Sequence, residues 1–513
     1  MLIDKPINRR SLLKGFSCTA TASAVASLSF GLGTPALAQT SSGLVIALAA
    51  DPPSLDPQAI ESSLPQQVTW NIYESLLTRD EQAKIVPSLA ESFEQVSPTI
   101  ARLKLREGVK FHQGETFDAD AAVYSINRII DPDLNSQWLG TVNTIAGARK
   151  VDTTTIEIET KTADPVLRAR LCLIAMMAPG WVEQIGKEVG NSANGTGPYE
   201  FVSWKRNLAI ELKAFNSYWG GAPALKTAIF RIVPEDATRF QSIKTGEIDL
   251  YLGLLPDQAA ELPAYKAGIS QQFSFLRLNN LPGSRLTDPR IRQAMNLAVD
   301  KDTIFQQLYK GKGAILNGQL SSPQIFGYNP NLQPYRYDVE AAKTLITQAG
   351  AHELEITLEG SKGRYTGDAV EEQAIASMLE QIGLHVNLSL RDPNSYNRAG
   401  DRGQTPAIPD GYFMRHDNSL FDADRTLSGY YTDENNTYSA YSNAEIKPLL
   451  QASRVELDEK KRETMLQEMF RIGREDPVGI FLLQHVDWWG HTARTKFEPR
   501  ADSRLYLKSI TVA

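Results

Sequence analysis

Two hydrophobic periods alternate along the chain. Leu103 and Leu105, then Val109 and Phe111, fall on every second position around Arg106-Glu107-Gly108, which predicts a β-hairpin. Ile156 with Ile158, and Leu208 with Ile210 and Leu212, predict further half-buried strands. The helical period is equally plain elsewhere. Ala122, Val123, Ile126, Ile129 and Ile130 share a face behind the capping residue Asp118, and Asp131-Pro132 ends the run. Asp288-Pro289 sets a capping carboxylate before a proline at the first helical position, with Ile291, Ala294, Met295 and Ala298 on one stripe. Asp300 caps the next helix, which Gly311 stops. Leu457, Leu466, Met469, Phe470 and Ile472 mark a long amphipathic helix ending near Pro477. Strands and helices interleave throughout, so the fold class is α/β or mixed α+β.

The first 38 residues follow neither period. Arg9-Arg10 and Leu12-Leu13-Lys14 precede a mildly apolar stretch rich in Ala, Ser and Thr, and Ala36-Leu37-Ala38 closes it. A charged start, an apolar middle and a small-residue end compose an export signal of the twin-arginine type, cleaved after Ala38. A membrane anchor over 17–38 is the other reading, and Gly31, Gly33 and Pro35 interrupt it.

Composition narrows the function. With 513 residues, the length suggests roughly three domains or one large multi-lobed unit. The formal charge of −7, without a concentrated basic stripe, gives nucleic-acid binding no support. Cys172 lies in the apolar run Leu171 to Met177 and reads as a buried, inert thiol. The six histidines form no H-E-x-x-H and no close pair, and there is no G-x-S-x-G elbow or phosphate loop. Asp417, Asp422 and Asp424 lie close together but lack the glycine and terminal glutamate of a calcium loop. The reading is therefore a non-enzyme with no cofactor and no metal site.

Several segments resemble the extracytoplasmic solute-binding proteins of ABC importers, in the oligopeptide/dipeptide/nickel-binding family (solute-binding family 5). They are Asp51-Pro52-Pro53-Ser54-Leu55-Asp56-Pro57, Tyr73-Glu74-Ser75-Leu76, Ile85 to Phe93 and Leu103 to Gly114. Gly195-Thr196-Gly197-Pro198-Tyr199, Ser217-Tyr218-Trp219-Gly220-Gly221, Gly246-Glu247-Ile248-Asp249 and Asp288 to Lys301 continue the series in order. The resemblance implies a two-lobed periplasmic binding protein fold with a hinge and an extra domain on the N-terminal lobe. Lobe I would comprise 39–73, 194–272 and 486–513, the extra domain 74–193, and lobe II 273–485. It also implies a monomer in the periplasm that closes on a small-molecule solute and delivers it to ABC permease subunits in the inner membrane. Most of the quoted motifs would serve turns and packing, Trp219 included.

The resemblance also points to ligand contacts. In Gly363-Arg364-Tyr365, after the strand Leu354 to Leu358, Arg364 would hold a solute carboxylate, for which a guanidinium offers paired donors, and Tyr365 would complete the wall. In Phe413-Met414-Arg415-His416-Asp417, Asp417 would take an amino group; Met414 stands where dipeptide binders carry Trp, which argues against an ordinary dipeptide. Arg415 beside Asp417 reads as a ligand contact or a neutralised pair. His416 reads as a hydrogen-bonding residue or as a ligand for a nickel chelate. The expected solute is small and amphoteric: a short peptide, modified amino acid or opine-like conjugate. A nickel-chelate or oligosaccharide receptor, or a periplasmic hydrolase, stand as alternatives.

Overall fold

The computed structural model describes residues 43–365, 367–392, 408–433 and 439–513. The export-signal reading of 1–38 lies outside the described residues. One sheet organises the fold. Its strands run, in spatial order, Leu384–Arg391, Leu354–Ser361, Gly411–Asp417, Tyr265–Leu278, Gly479–His491, Leu250–Leu252, Gly43–Leu48, Thr227–Ile232, Ala209–Ala214 and Tyr199–Lys205, and Ala314–Ile315 pairs off this path with Gly479–His491. Gly43–Leu48 is parallel to both of its neighbours, and so is Leu354–Ser361. These two parallel groups flank the long antiparallel pair Tyr265–Leu278 and Gly479–His491.

The central strands of the sheet are covered on both faces, which is why they read as apolar runs, whereas outer strands such as Ala209–Ala214 and Leu384–Arg391 bury alternate positions. Leu44, Ile46 and Leu48 enter one large cluster, whereas Val45 and Ala47 enter another with Phe240, Ile243 and Trp488. In the other half, Leu276 and Leu278 pack with Ile291, Met295 and Ile356, while Phe273 and Phe275 pack with Leu427, Met469 and Phe470. The large cluster also absorbs a four-stranded antiparallel sheet, in the order Ala90–Ser97, Ile100–Leu105, Thr155–Thr160 and Ile145–Asp152, together with the helix Ala119–Ile130.

The helices begin where their caps predict. Asp118 accepts from the amides of Asp120 and Ala121, Asp288 from Arg290 and Asp300 from Thr303. Three expectations are corrected. Ile100–Leu105 does not form a hairpin with Val109 and Phe111; it pairs with Ala90–Ser97 and Thr155–Thr160. Val109 and Phe111 are instead fully buried plugs, in a turn closed by Phe111 N–H to Glu115 O and Phe117 N–H to Val109 O. Leu208 is 65% exposed in the turn before Ala209–Ala214, whereas Ile210 and Leu212 are fully buried. Leu457 precedes the last long helix, Glu459–Glu475, which Asp458 caps.

Motifs far apart in the chain meet at one carboxylate. Glu74 accepts from Thr196 Oγ1 at 2.9 Å, Tyr218 OH at 2.7 Å and Trp219 Nε1 at 2.8 Å. Burial pushes its pKa up, against the pull of these three donors. Trp219 also packs against the Tyr218 ring at 5.4 Å and has the Arg106 guanidinium 4.4 Å from its ring centre. Cys172 is buried and its thiol pKa is pushed up to about 11 by that burial, which keeps it an unreactive thiol at neutral pH. Gly195 and Gly197 allow the chain to lie against the backbone of Asn71 to Tyr73. A Cβ at Gly195 would stand 2.0 Å from Ile72 O and 3.0 Å from Tyr73 Cα. Since neither neighbour is a flexible side chain, Gly195→Ala is expected to destabilise the protein by about 2 kcal/mol or more, read as a lower denaturation midpoint in urea.

Candidate functional site

The strand Gly411–Asp417 decides where most of the predicted residues point. It pairs antiparallel with Tyr265–Leu278, setting Asp417 opposite Gln272, His416 opposite Phe273, Arg415 opposite Ser274 and Met414 opposite Phe275. Because side chains alternate faces, Met414 and His416 lie on the face of Phe273 and Phe275, and Arg415 and Asp417 on the face of Ser274 and Gln272. Met414 accordingly packs against the cluster built on Phe273 and Phe275. His416 is buried, with Nε2 2.9 Å from Thr426 Oγ1 and its ring edge-on to Tyr430 at 4.8 Å. Burial, reinforced by the Arg425 charge, lowers its pKa to about 3, so the imidazole is neutral.

On the opposite face the structure brings together Arg364, Tyr365, Arg415 and Asp417. Their support is Asp368, the first residue of the helix Asp368–Glu380. Its carboxylate accepts from Ser361 Oγ at 2.8 Å and from the amides of Gly363 at 3.1 Å, Arg364 at 2.9 Å, Tyr365 at 3.0 Å and Ala369 at 2.7 Å. Burial pushes this carboxyl up, but the donors outweigh it and hold its pKa below the usual range. The loop bearing Arg364 is thereby tied to a helix start. Arg364 is exposed, with its guanidinium 5.0 Å from the Tyr365 ring centre, and Arg415 approaches the same ring at 4.6 Å.

Arg415 is fixed from behind. It donates to Tyr309 OH at 3.0 Å and Gln272 Oε1 at 3.3 Å, and lies 3.9 Å from the buried Glu371. Glu371 accepts from Tyr309 OH at 2.6 Å. Burial raises its pKa against the Arg415 charge and that hydrogen bond. The neighbouring Glu372 is raised to about 8 by burial, with the charges of Asp368 and Glu371 adding to it and the Ser361 amide opposing. One of its oxygens is buried with no hydrogen-bond partner.

Asp417 keeps a solvent-facing edge but is walled in by protein, which raises its pKa against the pull of Arg425, Arg415, Gln272 and Arg364. Arg425 links this corner to the other half of the molecule. Its guanidinium reaches Glu61 Oε1 and Thr141 Oγ1, both at 3.1 Å, and its Nε donates to Asp417 O at 3.4 Å. Arg79 makes a second crossing, donating to Leu420 O at 2.5 Å and lying over the Phe421 ring at 4.4 Å.

Residue-by-residue reading of the sequence missed Tyr309, Glu371, Arg425, Glu61, His485 and Asp487. One signal was visible: a histidine and an aspartate at alternate positions inside the apolar run Ile480 to Trp489. A cavity of about 440 Å³ lies elsewhere, among Tyr73, Glu74, Trp219, Arg500 and Lys508, and none of the six predicted residues lines it. Since Glu74 is satisfied there by three protein donors, that wall belongs to the fold.

The model of bacterial extracellular solute-binding proteins, family 5 Middle, matches residues 84–438. The glutathione-binding protein GsiB of Pectobacterium atrosepticum is 30% identical over 358 residues, covering 68% of this chain and 69% of that protein. The periplasmic binding protein DppA of Helicobacter pylori, solved with the peptide STSA, superposes with a TM-score of 0.76 at 23% identity, over 92% of this chain and 98% of its own. The binding protein AgaA of A. tumefaciens R10, solved with agropinic acid, superposes with a TM-score of 0.75 at 23% identity, over 92% and 99%. Among the described residues, no helix is long and apolar enough to cross a membrane.

Two predictions follow from this geometry. Glu372 holds its proton more tightly in the folded chain than in the unfolded one, so it lowers stability progressively as pH rises from about 4.5 to about 8. Glu372→Gln should therefore raise the melting temperature by a margin that grows over that interval and levels off above it, in melts run from pH 5 to 9. For the crossing pair, Arg425→Glu or Glu61→Arg alone should enlarge the radius of gyration measured by small-angle X-ray scattering, and the double exchange should restore it. Unchanged scattering in both single variants would show that this pair does not hold the two halves together.

Proposed function

The chain belongs to family 5 of the bacterial extracellular solute-binding proteins, and on that premise we propose that it is the periplasmic receptor of an ABC importer for a small amphoteric solute, such as a short peptide, modified amino acid or opine-like conjugate. The observation that carries this reading is the pairing of opposite charges on one solvent-facing surface. Arg364 and Arg415 flank the Tyr365 ring, and Asp417 ends the strand that bears Arg415. Arg364 receives a carboxylate, Asp417 receives an amino group and Tyr365 walls the space between them. Arg415 is the fixed positive charge behind, and Met414 and His416 support the strand from its other face.

Binding is coupled to closure of the two lobes. Lobe I comprises 39–73, 194–272 and 486–513, lobe II 273–485, and 74–193 is the extra domain. The register break between Ile269 and Phe273 supplies the hinge. A solute that contacts both lobes stabilises the closed form, and the permease subunits recognise that form. The protein works as a monomer and reaches the periplasm through the twin-arginine-type signal in 1–38. The names of the relatives support an amphoteric solute, since glutathione and a short peptide each carry carboxylate and amine groups.

Native mass spectrometry of residues 39–513, purified from the periplasm, is expected to reveal an added mass that carries both groups. Arg364→Ala is expected to weaken binding of that released solute by at least about tenfold, the loss of one charge-assisted contact, with the melting temperature of the free protein nearly unchanged. Unchanged affinity would remove Arg364 from the site. Turnover of a mixed peptide pool would replace the receptor reading with a hydrolase.

A further inference from the structure

The strand Gly479–His491 carries an unusual stripe. His485, Asp487 and Trp489 alternate along it and so share one face. Each has a buried polar atom with no hydrogen-bond partner: His485 Nε2, Asp487 Oδ2 and Trp489 Nε1. Such atoms are scarce in folded proteins, because each forgoes its bonds to water without replacement. Three in alternation on one strand mark a face that awaits partners.

This face is the one that bears the candidate site. The His485 ring stands edge-on to Tyr309 at 4.9 Å, and Tyr309 in turn holds Arg415. Arg415 also acts on the protonation of His485, and Asp417 on that of Asp487. One further unpartnered atom is linked to Asp487 through the chain. Gln271 is only 8% exposed; its amide nitrogen donates to Ala501 O at 3.1 Å, while its Oε1 receives no donor. Gln271 and Asp487 are tied to one short segment, since Ser503 hydrogen-bonds to Asp487 two residues beyond Ala501.

The charges around this corner are unevenly matched. Asp502 has Arg500 at 2.7 Å, Glu61 has Arg425 at 3.1 Å and Glu371 has Arg415 at 3.9 Å. Asp487 has no ion-pair partner among the described residues, and its electrostatic neighbours are the acids Asp417 and Asp502. Burial and those two like charges push its carboxyl up to about 6, against a hydrogen bond from Ser503, as befits a carboxyl with no counter-ion among the described residues. Gln271 Oε1, tied to it through the same short segment, is an acceptor without a donor. An unpaired carboxylate with such an acceptor calls for a cation with several N–H donors.

Resting on the receptor reading above, we propose that Asp487 is a second cation anchor of the solute site and that the solute carries two positive groups. One is an amine for Asp417; the other is a guanidinium or alkylammonium for Asp487, with Gln271 Oε1 taking a further donor. The site then selects for basic amphoteric solutes, such as peptides or amino-acid conjugates built on arginine or lysine. The neutral His485 and Trp489 flank that second group and line its path.

Isothermal titration with three dipeptides of matched shape tests this: Ala-Arg, Ala-Lys and Ala-citrulline, the last a neutral isostere of the first. The wild-type protein is expected to bind Ala-Arg or Ala-Lys at least about tenfold more tightly than Ala-citrulline, the effect of one charge-assisted contact. Whichever of the two binds more tightly identifies the second group as guanidinium or ammonium. Asp487→Asn is expected to bring the favoured peptide down toward Ala-citrulline, with its melting temperature recorded alongside. Equal binding of all three by the wild type, binding of none of them, or a preference that survives Asp487→Asn, overturns the inference. The wild-type comparison stands even if the variant folds poorly. A solute released from the purified protein with an amine and a carboxylate but no second cation overturns the inference and leaves the receptor reading intact, whereas turnover of the peptides overturns that reading itself.

Discussion

One pair of strands holds the two halves of this molecule in a single sheet. Tyr265–Leu278 and Gly479–His491 are long enough to be laddered at one end beside Leu250–Leu252 and at the other beside Gly411–Asp417. Their pairing is continuous from Tyr265 to Ile269, slips, and resumes at Phe273. A slip bends a ladder and leaves its local amides less tightly paired, which is why the proposed hinge is placed there. It also resets which side chains share a face. The register beyond the slip aligns Ser274 with Leu483, and through alternation it turns His485 and Asp487 toward the space that Arg415 and Asp417 border.

The charged residues around that space divide by how completely the protein satisfies them. Asp422 and Arg462, buried together, exchange two hydrogen bonds at 2.6 and 2.7 Å. Asp368 takes five donors from one loop and one helix start. Removing a partner from such a group leaves a buried charge uncompensated, so these groups hold shape. Asp417 feels the charges of Arg425, Arg415 and Arg364 and a hydrogen bond from Gln272, whereas Asp487 has no ion-pair partner among the described residues. Arg425 stands between the two kinds, since it contacts Asp417 at the site and Glu61 and Thr141 across the gap.

The elements were largely legible in the chain. Aspartate caps at 118, 288 and 300 set helix starts because the capping contact is local, spanning two or three residues. The signature segments identified the family through order and spacing. Their roles were less legible: Glu74, Thr196, Tyr218 and Trp219 are separated by up to 145 positions and meet only once the sheet is assembled. The expected hairpin at Arg106 failed because both edges of Ile100–Leu105 are taken, one by the adjoining Ala90–Ser97 across a two-residue turn and the other by the remote Thr155–Thr160.

At the site the division is sharper. The sequence by itself determined the α/β class, the family, the buried thiol and the loop and strand that carry Arg364 and Asp417, since each of these is written in neighbouring residues. Only the tertiary structure decided that Met414 and His416 turn away from Arg415 and Asp417, that Glu371 and Tyr309 brace Arg415, and that Asp487 arrives beside Asp417 from a strand about 70 positions later. Strand register is set by pairing between segments remote in the chain, and a shift of one residue would have exchanged every face.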